Sequence, residues 1–172
     1  VIIRRGVTFF GAEHLLLIAK GPVKLDIPAR TAPAGLLDGQ MVFRTSDPWG
    51  AVPAGAIAAA PLAEVERGVL KPRVIFAPGP RQSVASAGLT RDRMILVVAD
   101  DVRGRAFVDA RTATGGWSRR QLARADNATI GVAADTERGS HAYLSVAGFL
   151  QPTTLYALDA GATGAAGEPT PV

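Results

Sequence analysis

The chain has 172 residues, of which 48% are hydrophobic, and a formal net charge of +4. That length and hydrophobic content suffice for one folded domain with a core and exclude wholesale disorder. The absence of cysteine excludes disulfides and thiolate metal sites.

The excess positive charge does not indicate a nucleic-acid or membrane partner. The arginines are scattered along the chain, and aromatic residues make up only 6%, too few for a base-stacking surface. The longest apolar run, at 94–99, is much shorter than the roughly 20 residues that span a bilayer. No signal peptide is visible. We expect a soluble protein, cytoplasmic or periplasmic, and the sequence does not decide between these compartments.

Alternation of apolar and polar residues dominates the chain and predicts short strands separated by turns. The predicted strands are Ile2–Phe10, His14–Ile18, Val23–Ile27, Gly35–Leu37, Gln40–Thr45, Ala56–Ala60, Arg73–Ala77, Ser83–Leu89, Arg93–Val98, Gly104–Ala110, Trp117–Leu122, Ala128–Ala133, Ala142–Val146 and Thr154–Leu158. Residues 61–70 resist this pattern and predict a single helical turn or a loop. After Gly161 the chain is small, polar and proline-bearing, which predicts a flexible linker or tail over 161–172.

One arrangement recurs along the chain: an apolar strand, a tight turn with an aspartate, and a stronger apolar strand. The turn aspartates are Asp38, Asp92 and Asp135, at separations near the roughly 40–50 residues of a four-stranded propeller blade. This pattern predicts an all-β fold, a partial β-propeller of three to four blades of antiparallel four-stranded sheet over residues 1–160. A β-sandwich is the alternative, because it also consists of short strands at 8–12-residue spacing.

Serine hydrolase chemistry has weak candidates. A nucleophile elbow requires G-x-S-x-G on a strand-to-helix turn, and the nearest string surrounds Ser86 inside a predicted strand. Asp135, Ser140 and His141 have the residue types of a triad, but a strand-and-turn segment offers no elbow and no oxyanion hole. We expect His141 to be packed in a hairpin or exposed to solvent, and His14 to occupy an exposed hairpin position. The residues therefore predict no catalytic group in this chain.

Metal and cofactor sites are equally weak. Two histidines without cysteine cannot build a typical zinc site. The paired carboxylates Asp100 and Asp101 precede Arg103 and Arg105, so local ion pairing explains them more simply than a cation. The glycines at 115–116 lie between two strands, with no helix N-terminus to receive a phosphate. We expect no metal and no cofactor.

Four strings together resemble successive segments of the propeller in prolyl oligopeptidase family serine peptidases, and they cover about residues 3–160. They are GVTFFGAEHLLL, VKLDIPARTAPAGLLDGQMVFRTSDPW, RVIFAPGPRQSVASAGLTRDRMILVVADDVRGRAF and AGFLQPTTLYALDAG. The resemblance implies the second half of a seven-bladed propeller that covers an α/β-hydrolase domain and admits only short peptides. No triad residue carries over, because no position here matches one. The chain starts at Val1, not Met, and ends before any hydrolase domain, so we expect a piece of a longer protein.

The leading hypothesis is therefore the non-catalytic propeller portion of a peptidase. It gates the access of a peptide substrate to the hydrolase domain of the same parent, and Arg103 and Arg105 are candidate substrate-channel residues that attract peptide carboxylates. A solvated or aspartate-paired strand end is the alternative for these arginines. The rival functions are a stand-alone propeller-like protein-binding module and an enzyme built around Asp135, Ser140 and His141. Unpaired sheet edges in a partial propeller also predict homo-oligomers.

Overall fold

The computed structural model of the chain describes residues 1–7, 12–123, 128–150 and 152–172. Within these ranges the chain forms fifteen strands in four antiparallel sheets, one short α-helix and one 3-10 helix. It divides into two compact units, Val1–Ala77 and Pro78–Val172. Among the described residues, no helix is both long and apolar enough to cross a membrane.

The first unit holds two sheets. Its elements are β1 (Ile2–Gly6), β2 (Ala12–Ile18), β3 (Gly21–Lys24), β4 (Thr31–Leu37), β5 (Gln40–Thr45), β6 (Ile57–Pro61), α1 (Leu62–Val65) and β7 (Arg73–Phe76). Strands β1–β3 form a three-stranded sheet and β4–β7 a four-stranded sheet, and neighbours in each sheet are neighbours in sequence.

Turn and bulge residues explain the local geometry of the β4–β5 hairpin. Asp38 and Gly39 both have positive φ, 46° and 70°, the conformation of a two-residue turn that matches strand twist. The register shifts between Pro33 and Gly35, which fits a proline that has no N–H to donate to the ladder. Met41 and Phe43 from β5 are fully buried in the core of this unit.

The second unit also holds two sheets, each of four strands in chain order. Its elements are β8 (Gln82–Leu89), β9 (Arg93–Asp100), β10 (Arg103–Arg111), β11 (Trp117–Gln121), β12 (Ala128–Asp135), β13 (His141–Gly148), β14 (Thr154–Asp159), the 3-10 helix Gly164–Gly167 and β15 (Thr170–Pro171).

One apolar core joins the two sheets of the second unit. Alternate residues of β9 and β10, such as Ile95 and Val108, pack with alternate residues of β13 and β14, such as Leu144 and Leu158. Burial of such side chains stabilises the fold by roughly 1.5–3 kcal/mol each. The approach is close at Gly104, since a Cβ there would lie 2.7 Å from a backbone carbonyl oxygen of β12.

The all-β prediction is confirmed. Each sheet is a meander in chain order, as in a propeller blade, with no crossover that a Greek-key sandwich would need among the described strands. Each predicted strand overlaps an observed strand, although residues 8–10 of the first prediction lie outside the described residues. The predicted helical turn in 61–70 is α1.

The prediction of a flexible tail over 161–172 needs correction. Within that range β15 pairs with β14, Tyr156 opposite Pro171 and Ala157 opposite Thr170. The Glu168 carboxylate accepts hydrogen bonds from Arg120 (3.2 Å) and from a backbone N–H (2.9 Å). Backbone pairing and one ion pair order this segment, so it needs no alternating apolar pattern of its own.

Candidate functional site

Strands β8 and β12 run in the same direction, so the hairpin turns of the two sheets fall at the same two ends of the second unit. Val132 donates its N–H to Ser86 Oγ (3.0 Å) near the middle of both strands, and the start of β10 lies beside the start of β12. The β9–β10 turn and the β13–β14 loop therefore share one end, which we call the Phe149 end. The β8–β9 and β12–β13 connections share the other, which we call the His141 end.

Arg103 and Arg105, the predicted channel residues, lie at the Phe149 end on one face of β10. Arg105 Nε donates to Asp100 Oδ2 (2.9 Å), and both side chains are about a third exposed. Arg103 is opposite Asp100 in the strand register and is exposed. Arg105 is thus partly neutralised, whereas Arg103 presents its charge to solvent.

The second carboxylate of the pair, Asp101, occupies the turn itself. It has a positive φ of 55° and lies 3.4 Å from Arg81 Nε. Asp100 and Asp101 therefore face different arginines. Within the described ranges no group of three or more histidine or carboxylate residues is placed to hold a metal ion.

The candidate triad is not assembled at the His141 end. Asp135 accepts a hydrogen bond from the Leu89 backbone N–H, which ties β12 to β8. The strand register instead sets His141 opposite Asp159. Sequence proximity suggested Asp135 as the acid, but antiparallel pairing brings a different carboxylate to the histidine.

Ser140 also bonds to a carboxylate and not to the histidine. Its hydroxyl donates to Asp159, and this bond, followed by the Gly161 N–H at 3.0 Å, holds the pKa of Asp159 below its ordinary value. A cavity of about 260 Å³ beside the pair is lined by His141 and Asp159 but not by Ser140. The hydrogen bonds of Asp159 with Ser140 and with the Gly161 N–H therefore hold the turn after β14 against the start of β13.

The other serine and histidine candidates have structural roles. Ser86 Oγ accepts the Val132 N–H and thereby links two sheets. The prediction of an exposed hairpin position for His14 is wrong. The side chain is only 5% exposed, because it shares its face of β2 with the core residue Leu16. Burial, and then the nearby Arg4, lower the pKa of His14, and its Nδ1 has no hydrogen-bond partner among the described residues.

One feature of the Phe149 end was not predicted from the sequence. Phe149 and Leu150, between β13 and β14, are 101% and 89% exposed. An exposed pair of large apolar residues is informative in a way that a single one is not. The sequence does contain a signal for this pair. Two large apolar residues follow one another after the alternating pattern of a strand has ended and before Pro152, so neither belongs to the buried face of a strand.

The four blade-like sheets define the class of the protein as an all-β partial propeller. No family model matches the chain. It is 31% identical over 175 aligned positions to an uncharacterized peptidase, y4nA, of Sinorhizobium fredii, covering 93% of this chain and 23% of that protein.

Two solved structures extend the comparison. A post-proline cleaving enzyme from Rickettsia typhi matches 99% of this chain with a TM-score of 0.82 and 17% identity. Prolyl oligopeptidase B from Galerina marginata matches 95% with a TM-score of 0.65 and 14% identity. The resemblance to prolyl oligopeptidases is confirmed, and the chain has the fold of part of their propeller. It spans only about a quarter of the length of these proteins.

Proposed function

We propose that this chain is the propeller portion of a serine peptidase of the prolyl oligopeptidase type and gates the access of short peptides to a hydrolase domain elsewhere in the same parent polypeptide. The observation that carries the proposal is the match along nearly the whole chain to about a quarter of such enzymes. The local chemistry is consistent with it, because Ser86 and Ser140 are both engaged in structural hydrogen bonds.

Gating is steric work that suits these sheets. A size filter must be rigid. The sheets of the second unit are held by backbone hydrogen bonds between strands, by a shared apolar core and by hydrogen bonds between sheets, such as that from the Val132 N–H to Ser86 Oγ. Excluding large chains and water from a hydrolytic site protects the reaction from competing processes. The propeller then contributes selection, and the hydrolase domain contributes chemistry.

The parent polypeptide tests the proposal directly. Its sequence beyond Val172 should contain a G-x-S-x-G elbow followed by Asp and then His. A fluorophosphonate probe should label that serine and should leave Ser140 unlabelled. Labelling of Ser140, or a chain that stops at Val172, overturns the assignment and favours the stand-alone binding module.

Size selection is measured on the same parent. It should cleave a short peptide efficiently and leave the same cleavage sequence uncut within a folded protein or a long peptide. Equal cleavage of short and long substrates refutes gating while leaving the peptidase activity intact.

Arg103 and Arg105 are proposed to draw the carboxylate of a peptide toward the channel. In the parent, Arg103→Gln should raise KM several-fold for a peptide with a free carboxylate, leave kcat nearly unchanged, and weaken the dependence of kcat/KM on salt. Arg105→Gln should act less, because Asp100 already pairs with Arg105. Arg138→Gln, an exposed arginine at the His141 end, is the matched control. An equal change in Arg138→Gln removes any special role for Arg103.

A further inference from the structure

Phe149 and Leu150 form the most conspicuous apolar feature of the described surface at the Phe149 end. Both side chains lie beyond the end of β13, which stops at Gly148, and both are almost wholly exposed. The loop contributes neither residue to the core of the second unit. Exposing two large apolar side chains is unfavourable in water, and neither gains packing within the described part of the chain.

The course of the chain end points to what covers them. β15 runs antiparallel to β14, and Val172 donates its N–H to the carbonyl of Leu155, at the start of β14. The last residue therefore leaves the sheet at the same end as the Phe149–Leu150 pair. Any polypeptide that continues after Val172 emerges beside this pair.

We propose that Phe149 and Leu150 are a docking contact for the domain that follows Val172 in the parent polypeptide. The inference rests on the proposed function for the existence of that domain, and it adds a specific surface. A partner of this kind presents a shallow apolar pocket, because two adjacent side chains on one loop insert as a unit. Covalent linkage raises the effective concentration of the partner, so even this small contact is populated.

The absence of cysteine in the chain gives a direct assay. Leu150→Cys in the parent places a reporter thiol at the contact and keeps Phe149. Glu137→Cys places a matched thiol on an exposed connection at the His141 end of the same sheet. Maleimide modification of each variant is followed by mass spectrometry of the labelled peptide, which separates these thiols from any others in the parent.

Docking predicts that the thiol of Leu150→Cys reacts at least about tenfold more slowly than the thiol of Glu137→Cys, since reaction at the contact requires transient opening. Adding Phe149→Ser to the Leu150→Cys variant should bring its rate back toward that of the Glu137→Cys variant. This substitution leaves the core packing unchanged, because Phe149 makes no core contact.

The two proposals fail in distinguishable ways. Equal rates for the two introduced thiols overturn docking, whether or not a fluorophosphonate labels the parent. Protection of the thiol at position 150 that survives Phe149→Ser also overturns it, because the protection then has another source. If a fluorophosphonate does not label the parent, the peptidase assignment is overturned, and the ratio of the two thiol rates still decides docking.

Discussion

Substituting Arg119→Met should destabilise the second unit strongly, although Arg119 is only a partly buried side chain. Arg119 Nε and Nη2 donate to the two carboxylate oxygens of Asp109, both at 2.7 Å. Asp109 is 1% exposed, while Arg119 is 31% exposed and lies over the Phe107 ring at 5.2 Å. The substitution keeps much of the apolar stem but leaves a buried carboxylate without its bidentate partner.

The expected loss of stability follows because the substitution removes one charge of the pair and leaves the other, on Asp109, buried. Removing one member of a buried pair costs about 3–5 kcal/mol, because the remaining charge stays in a poorly hydrated site. Arg119 retains some contact with water, so the lower end, about 3 kcal/mol, applies. The double variant Asp109→Leu/Arg119→Met removes both charges and should recover most of the loss.

Urea-induced unfolding followed by circular dichroism measures these differences. Arg5→Met is the matched control, because Arg5 pairs with Glu13 on an exposed face and should cost less than about 1 kcal/mol. If Arg119→Met costs no more than Arg5→Met, or the double variant is as unstable as the single one, the account of a stranded buried charge is wrong.

Three further perturbations can be measured by the same method. Gly104→Ala should cost about 1–3 kcal/mol, because it forces a Cβ against the Ala128 carbonyl oxygen. Gly6→Ala is the control and should change stability by under about 0.5 kcal/mol, since no described atom lies within 4 Å of its added Cβ. Equal costs would contradict the close approach at Gly104. Ser86→Ala should cost about 1–2 kcal/mol by leaving a backbone N–H without its acceptor, and Ser86→Thr, which keeps a hydroxyl, should restore part of the loss. Since burial lowers the pKa of His14, the unfolded state binds a proton that the folded state resists, so stability should fall as the pH drops below about 6.5. His14→Leu should flatten that decline, and an unchanged pH profile in the variant would exclude His14 as its source.

The strands were predictable because the alternation of apolar and polar residues depends only on the residues of each strand itself. Gln40–Thr45 was predicted at its observed bounds, with a turn-forming Asp-Gly pair before it and buried residues within it. Thr170–Pro171 was not predictable in this way. Its pairing depends on backbone groups and on the contact of Glu168 with Arg120, a residue 48 positions away.

The contacts of the candidate site residues also divide into those set by neighbouring residues, which were predictable, and those set by strand pairing, which were not. The pairing of Asp100 with a nearby arginine follows from a short hairpin and was anticipated from sequence. The partner of His141 was not, because the register of β13 against β14 selects Asp159 over the closer Asp135. The burial of His14 could not be fixed in advance either, since it depends on which face of β2 meets a neighbouring sheet.

The ordered chain end has a mechanical consequence. The Glu168 carboxylate binds Arg120, within strand β11 of the preceding sheet, and the Ala123 N–H just after that strand, and β15 pairs with β14 two residues later. A force applied along the chain at Val172 first shears the two-residue pairing of β15 with β14. It then acts on the contacts of Glu168 with Arg120 and Ala123, which transfer part of the force to the preceding sheet. The β13–β14 pair behind them is shielded until both have given way.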